Sequence, residues 1–283
     1  MKKRAFAKVN LTLDVVRKRE DGYHDLIMIM APLQLHDLIS LEIADKYDFT
    51  TNAKYLKKQE NNSIYQTIEE MRKRYGFKEN FKVDLQKYIP SQAGLGGGSS
   101  DAASTIILVE ELLQLNLKKE EREDIASTIG KDVPFCLYNK TALVEGTGEK
   151  ITFIDNNCDL NMLLVKPQQG VSTRQAYNKL HEFDIKHFDN SNMIKALQQK
   201  DYQAVVDNLA NSFEEVAIEL LPIIGRIKKE MLDFGFDGSL LCGSGSCVFA
   251  VSQDTQLLQA ALKEFRKHYP FVWITNVKRS YNG

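Results

Sequence analysis

Residues 4–16 alternate between apolar and polar positions with the two-residue period of a strand. Val9, Leu11 and Leu13 fall on one face; Lys8, Asn10 and Thr12 fall on the other. Leu26 to Leu35 and Ile39 to Ile43 predict two further strands. Ser63 to Tyr75 predicts a helix, and Phe81 to Ile89 another strand. A helix opening near Ser99 follows, with Ala102, Ala103, Ile106, Ile107, Val109, Leu112 and Leu113 as its apolar positions. Glu120 to Ile129 predicts a further helix, and Ala142 to Phe153 a hairpin through Gly146 and Gly148. Leu160 to Val165 starts a second set: a strand, helices across 174–230, then strands near 239–251 and 271–279. Strands and helices mix without a regular βαβ rhythm. This predicts an α+β fold with mostly antiparallel sheets and helices packed on them. The polar run Asp155-Asn156-Asn157 marks the expected boundary, giving domains 1–155 and 156–283.

Between the strand at 81–89 and its following helix lies Pro90-Ser91-Gln92-Ala93-Gly94-Leu95-Gly96-Gly97-Gly98-Ser99-Ser100-Asp101. Glycines admit backbone conformations closed to other residues and let a ligand approach the main chain. A helix N-terminus adds unpaired N–H groups and partial positive charge. The combination predicts a phosphate site. Ser99 or Ser100 is expected to cap the helix, with Asp101 in its first turn. No Gly-Lys-Ser/Thr follows, so this is not a Walker A motif; Ser99 stands where a Rossmann fingerprint needs a third Gly or Ala.

Four other constellations carry chemistry without deciding it alone. Lys8 and Asn10 on one strand face could bind a hydroxyl or a phosphate, or could form a solvated face. Asp21-Gly22 is a turn signal, and Tyr23-His24 after it could stack on a base and hydrogen-bond its edge, or simply complete a turn. Asp132, in Gly130-Lys131-Asp132-Val133-Pro134-Phe135, could take a proton from a hydroxyl nucleophile, or be a turn acid. Leu241-Cys242-Gly243-Ser244-Gly245-Ser246 is a second glycine turn, either at a phosphate or between strands.

The 283-residue length is that of about two domains. A formal net charge of −1 gives no reason to expect nucleic acid or a membrane surface as partner. The basic Met-Lys-Lys-Arg start leads into the strand pattern without the apolar core of a signal peptide, and no run is long enough to span a bilayer. Cys136, Cys158, Cys242 and Cys247 are scattered, with no Cys-x-x-Cys pair. Unpaired thiols fit a reducing cytoplasm.

In order along the chain, these motifs resemble the GHMP kinase superfamily, the group of galactokinase, homoserine kinase, mevalonate kinase and phosphomevalonate kinase. Pro90 to Ser100 resembles its central motif, Pro-x-x-x-Gly-Leu-Gly-Gly/Ser-Ser-Ser, and Gly243-Ser244-Gly245 its C-terminal one. Ala7-Lys8-Val9-Asn10-Leu11 with Asp21-Gly22-Tyr23-His24 is similar to the branch acting on a cytidyl diphosphate sugar alcohol; Gly130 to Phe135, Glu145 to Glu149 and Gly170 to Thr173 fall at its counterparts.

The resemblance implies a two-domain fold with the active site in the cleft between the domains. It implies transfer of a phosphoryl group from ATP, with Mg²⁺, to the 2-hydroxyl of 4-diphosphocytidyl-2-C-methyl-D-erythritol, in the non-mevalonate route to isoprenoid precursors. On this resemblance Lys8 and Asp132 are the catalytic pair. Residues 90–100 with Asn62 and Lys87 hold ATP, and Asn10, Tyr23, His24, Thr173 and Tyr177 hold the acceptor. A cytoplasmic monomer or weak homodimer is expected, and the metal ligands are unassigned. Tyr23-His24 separates this from a kinase of mevalonate or homoserine, whose small acid gives the pair no base to stack on. Four positions depart from the family pattern: Phe6 for Pro, Ser63 for an apolar residue, Lys131 for a small one, and Ser246 for Pro or Ala. They leave open a relative of weak, altered or lost activity.

Overall fold

In the computed structural model, which describes residues 1–56, 62–183, 185 and 187–278, the first strand β1 (Lys2–Lys18) is followed by β2 (His24–Ala44) and β3 (Asp48–Thr51). Next come α1 (Ser63–Tyr75), β4 (Asn80–Gln86), α2 (Gly97–Leu113), α3 (Lys119–Ile129) and α4 (Val133–Tyr138). The hairpin β5 (Ala142–Gly146) and β6 (Lys150–Phe153) precedes β7 (Asn161–Lys166). The helices expected across 174–230 are α5 (Thr173–Lys179), α6 (Asn190–Gln199), α7 (Tyr202–Asp207), α8 (Glu214–Leu220) and α9 (Ile223–Phe234), with the two-residue strand β8 (Ala210–Asn211) among them. The chain continues through β9 (Gly238–Leu241), β10 (Val248–Val251), α10 (Thr255–Phe265) and β11 (Phe271–Asn276). Residue 279, the expected end of the last strand, lies outside the described residues.

The chain forms two compact units. One comprises Met1–Ala7, Leu35–Ile89 and Gly96–Asn139; the other comprises Lys8–Gln34, Pro90–Leu95 and Lys140–Gly283. The boundary expected after residue 155 follows chain order, whereas β1, β2 and the glycine segment each run from one unit into the other.

In the first unit, the C-terminal half of β2 pairs antiparallel with β4, from Leu38↔Gln86 to Ala44↔Asn80. β3 adds to β4 in parallel. Helices α1 and α2 pack together, and α2 packs on α4. Asn62 caps α1: its Oδ1 accepts the Ile64 N–H at 2.9 Å, one of the donors a helix start leaves unpaired. Gly76 ends α1 in the left-handed conformation, φ 69°.

In the second unit, the N-terminal half of β2 pairs antiparallel with β5, and β5 with β6. β1 meets β8 in parallel at Thr12↔Ala210 and Leu13↔Asn211. A separate antiparallel sheet has the order β11-β7-β10-β9, with α9 and α10 against it. Its central strands β7 and β10 carry continuous apolar runs, Met162 to Val165 and Val248 to Val251, and all of these residues are buried.

Two local expectations are corrected, and one open alternative is decided. Leu26 to Leu35 and Ile39 to Ile43 form one 21-residue strand, because no Gly or Pro-Gly turn separates them and each half finds its own partner. The helix α2 opens at Gly97 rather than near Ser99. The strand β1 shows no solvated face over 7–15: every residue there is buried on both sides. Among the described residues, no helix is long and apolar enough to cross a membrane.

Candidate active site

The glycine segment does two jobs, one on each unit. Residues 90–95 are pinned by backbone to the turn after β9. Gln92 O accepts the Ser246 N–H at 3.2 Å, Ala93 O accepts the Cys247 N–H at 3.3 Å, and Leu95 O accepts the Lys8 N–H at 3.0 Å. Gly94, at φ 74°, is required by contact: a Cβ there would lie 1.7 Å from Cys242 O. A Cβ on Gly243 would lie 3.3 Å from Gly94 Cα and 3.5 Å from Lys8 Nζ. The two glycine turns of the sequence are therefore one backbone surface, with the Lys8 ammonium beside it. Gly243 thus connects β9 to β10 and at the same time lies against Gly94 of the first glycine segment.

From Gly96 onward the segment forms the start of α2. Gly96 is the N-cap, at φ 68°, with no side-chain cap. Neither Ser99 nor Ser100 caps the helix, since glycine's access to the left-handed region turns the chain two residues earlier. Asp101 consequently falls past the first turn. The Ser100 N–H donates to Gly96 O at 2.9 Å, so the N–H groups of Gly97, Gly98 and Ser99 precede the first intrahelical bond. The Ser100 hydroxyl is buried with no hydrogen-bond partner. Ser63, the first residue of α1, faces Gly98: its Oγ would lie 3.7 Å from a Cβ there.

Lys87 is more deeply engaged than its sequence context suggests. Its Nζ donates to Asp37 Oδ2 at 2.5 Å and to Asp101 Oδ2 at 2.8 Å, with all three side chains buried. Its N–H and C=O both pair with the Asn52 side chain, at 2.8 and 3.1 Å. Asp132 stands at the N-cap of α4, half-buried and ahead of Pro134, while Lys131 is exposed. A carboxylate at that position gains from the helix-end N–H groups.

The polar face of β1 forms a buried ladder. Lys8 Nζ donates to Asn10 Oδ1 at 2.9 Å, and Asn10 Nδ2 points to Met28 Sδ at 3.3 Å. Thr12 Oγ1 donates to Asn190 Oδ1 and accepts the Ile29 N–H at 3.0 Å. Asp14 Oδ1 meets His187 Nδ1 at 2.8 Å. Burial of four polar side chains is tolerable only because each has a partner. Asp14 and Thr12 find their partners His187 and Asn190 more than 170 residues away, so no local sequence signal marks these four as a group.

His24 packs against Tyr177 at a tilt, ring centroids 4.8 Å apart at 32°, and Tyr177 meets buried Phe213 edge-on at 4.7 Å. Tyr23 is 54% exposed, held by the Asp21 turn through its N–H. Burial, and behind it the Lys18 charge, lowers the His24 imidazole below its ordinary value. The structure thus joins Tyr177 to His24. Thr173, one turn before Tyr177 on α5, has its Oγ1 2.9 Å from Ser244 Oγ at the second glycine turn. Asn211 holds that turn, donating to Leu241 O at 3.0 Å and Gly243 O at 2.8 Å. Of the departures, Phe6 packs on His36, and Ser246 Oγ donates to Gln169 O at 2.7 Å.

Two family descriptions match the chain: "GHMP kinases N terminal domain" over residues 62–140 and "GHMP kinases C terminal" over 193–270. A 4-diphosphocytidyl-2-C-methyl-D-erythritol kinase of Caldanaerobacter subterraneus subsp. tengcongensis is 39% identical over 273 residues, 96% of this chain and 95% of that one. The chain belongs to the GHMP kinase family, among the 4-diphosphocytidyl-2-C-methyl-D-erythritol kinases. The Bacillus subtilis (strain 168) enzyme of the same name is 40% identical over 252 residues, 88% of this chain and 87% of that one. A solved structure titled 4-(cytidine 5'-diphospho)-2C-methyl-D-erythritol kinase matches with a TM-score of 0.83 at 28% identity, covering 98% of this chain and all of that one. The expected two-part α+β architecture is that of the family. Among the described residues, no cluster of three His, Cys, Asp or Glu is placed to hold a metal ion.

Proposed function

We propose that this chain transfers the γ-phosphoryl group of ATP to the 2-hydroxyl of 4-diphosphocytidyl-2-C-methyl-D-erythritol. The observation that carries the reading is the glycine segment, bound backbone to backbone to the second glycine turn and continuing into the open N-terminus of α2. At Gly96, Gly97 and Gly98 that surface offers main chain free of side chains, and the N–H groups of Gly97, Gly98 and Ser99 precede the first intrahelical bond, as a polyphosphate site requires. The relatives named above supply the acceptor.

Residues 90–100 take the triphosphate in this reading, and Asn62 and Lys87 belong to the nucleotide half. Tyr23, His24 and Tyr177 hold the cytosine, while Asn10 and Thr173 orient the sugar alcohol. The acceptor oxygen attacks the γ-phosphorus, its proton passes to the Asp132 carboxylate, and the bond from that phosphorus to the β-phosphate oxygen breaks to leave ADP. Lys8, buried beside Gly94 and Gly243, offsets the charge that develops on the transferred group. Mg²⁺ would arrive on the phosphates and offset their charge, with the Ser99 and Ser100 hydroxyls as the protein's oxygen donors; the unpartnered Ser100 Oγ fits that role. The enzyme works in the cytoplasm as a monomer or weak homodimer, within the non-mevalonate route to isoprenoid precursors.

The test is ADP release measured with and without the cytidyl substrate. Release should depend on that substrate, and Asp132→Asn should abolish it while ATP still binds. Full turnover by Asp132→Asn would overturn the base assignment, and preference for a non-nucleotide alcohol would overturn the acceptor.

A further inference from the structure

The nucleotide half of the first unit contains a buried charge cluster that phosphoryl transfer does not use. Lys87 Nζ sits between Asp37 Oδ2 at 2.5 Å and Asp101 Oδ2 at 2.8 Å. Asp37 is completely buried and Asp101 is 3% exposed. The second oxygen of Asp37 accepts the N–H groups of Tyr88 and Ile89, at 2.6 and 2.9 Å. The second oxygen of Asp101 is buried with no hydrogen-bond partner. Burying three charged side chains is costly, and one lysine between two carboxylates leaves a formal excess of one negative charge. Hydrophobic residues would stabilise a core more simply, so the cluster calls for a role that apolar packing cannot fill.

Its position supplies one. Lys87 Nζ lies 3.1 Å from where a Cβ on Gly97 would stand, and Ile89 Cγ2 lies 3.0 Å from the same point. Gly97 is the first residue of α2, and Asp101 stands four residues further along the same helix. Lys87 therefore touches the helix twice, at its first residue by contact and one turn on by an ion pair. Asp37 anchors the ammonium from the other side and fixes the strand exit at 88–89 that leads into the glycine segment. Lys87 has its backbone groups engaged by Asn52 and its ammonium engaged by the two acids. Its service to a nucleotide is then to hold the helix, rather than to offer a free cation.

We propose that Asp101 is a positioning residue: through Lys87 it fixes the first turn of α2 in the orientation that presents the Gly97, Gly98 and Ser99 N–H groups to the phosphates of ATP. The inference rests on the nucleotide reading given above. Burial, countered by Lys87 and reinforced by Asp37, pushes the Asp101 carboxyl up to about 7, so that near neutrality the cluster sheds much of its excess negative charge. A less negative cluster repels a polyphosphate bound at the end of the same helix less strongly.

Calorimetric titration of the full-length protein with ATP, without acceptor, tests this directly. Asp101→Ala should weaken ATP binding by about tenfold, the loss of one charge-assisted hydrogen bond. Asp101→Asn, which keeps an acceptor for Lys87, should bind within about threefold of the unaltered protein. In steady state the Ala variant should raise KM for ATP while kcat at saturating ATP and KM for the cytidyl acceptor stay nearly constant. A purely structural role would lower stability without that split. Should Asp101→Ala fail to fold, Asp101→Glu serves: it keeps the charge but displaces the ammonium by one methylene, and it should also weaken ATP. Undiminished ATP affinity in a folded Ala or Glu variant would overturn the inference alone. Absence of ATP binding by the unaltered protein would instead overturn the nucleotide reading on which it rests.

Discussion

Gly94 and Cys242 meet so closely that no side chain can stand between them. A Cβ on Gly94 would lie 1.7 Å from the Cys242 carbonyl oxygen, and the backbone there is already left-handed, at φ 74°. Gly94→Ala therefore combines a conformational penalty of about 1–2 kcal/mol with a clash that only backbone movement relieves. It should lower the melting temperature by several degrees, as about 1–3 kcal/mol would. It should also cut turnover by more than about tenfold, because the surface it distorts is the one proposed to hold the phosphates of ATP. Gly98→Ala is the contrasting change. Its Cβ meets nothing nearer than Ser63 Oγ at 3.7 Å, and alanine favours a helix over glycine by about 1 kcal/mol. Its melting temperature should hold or rise. Equal melting temperatures for the two variants would refute the contact argument.

Asn211 should matter more than its sequence context suggests. Its amide donates to two carbonyls of the second glycine turn, and its Oδ1 accepts the Phe213 N–H at 2.9 Å. Asn211→Ala leaves those groups without their partner and should cost about 1–3 kcal/mol in urea unfolding. Asn211→Asp keeps the acceptor for Phe213 but turns a carboxylate toward two carbonyl oxygens. It should be the more damaging change above pH 5, and less so in acid, where the carboxyl can donate. An Asp variant as stable as the unaltered protein at neutral pH would contradict the observed hydrogen-bond directions.

The His24–Tyr177 contact predicts both a substitution pattern and a pH effect. Tyr177→Ala should raise KM for the cytidyl acceptor by about tenfold and leave KM for ATP alone, whereas Tyr177→Phe should change little. Burial lowers the His24 imidazole, so it is neutral at pH 7 and must take up a proton against that burial on acidification. The unfolded chain binds that proton more readily, so His24's contribution to stability is present above the ordinary imidazole value and is lost as pH falls through the lowered one. Acceptor KM should rise over that same acid range, and His24→Gln, which does not titrate, should remove this part of the rise. A pH profile unchanged by His24→Gln would exclude the imidazole as its source.

Much of this was legible because it is local. Glycine spacing at 94–98, the Asp21-Gly22 turn and the helix at 63–75 are set by residues within a few positions of one another. Cap propensity favours the serines and so points to a start of α2 two residues later than the observed one, where Gly96 supplies a left-handed turn that needs no side chain. What long separations decide was not readable. The polar face of β1 reads equally as solvated or functional until Asn190 and His187, more than 170 residues later, cover Thr12 and Asp14. Lys87 and Asp101 flank the glycine segment, but their third member, Asp37, lies 50 residues before Lys87 in the middle of an apolar strand. No periodicity marks an acid there as a lysine's partner.

That third member also makes the cluster's pH behaviour specific. Asp101 shares Lys87 with Asp37, and these are the charged groups that act on it; burial raises its carboxyl from an ordinary 3.8 to about 7. The folded protein thus holds a proton on Asp101 across a range where the unfolded chain has released it. A group raised in this way contributes stability that is complete below pH 3.8 and is lost as pH climbs toward 7. Lys87, raised above its ordinary value, stays charged throughout and adds no slope in this window. Asp101→Asn mimics the protonated form at every pH. Unfolding free energies measured in urea between pH 4.5 and 7.5 should therefore converge for the two proteins at the acid end. Toward neutrality the unaltered protein should lose stability relative to Asp101→Asn. A constant difference across the range would mean that Asp101 is ionised in the folded state, with Lys87 alone offsetting both acids.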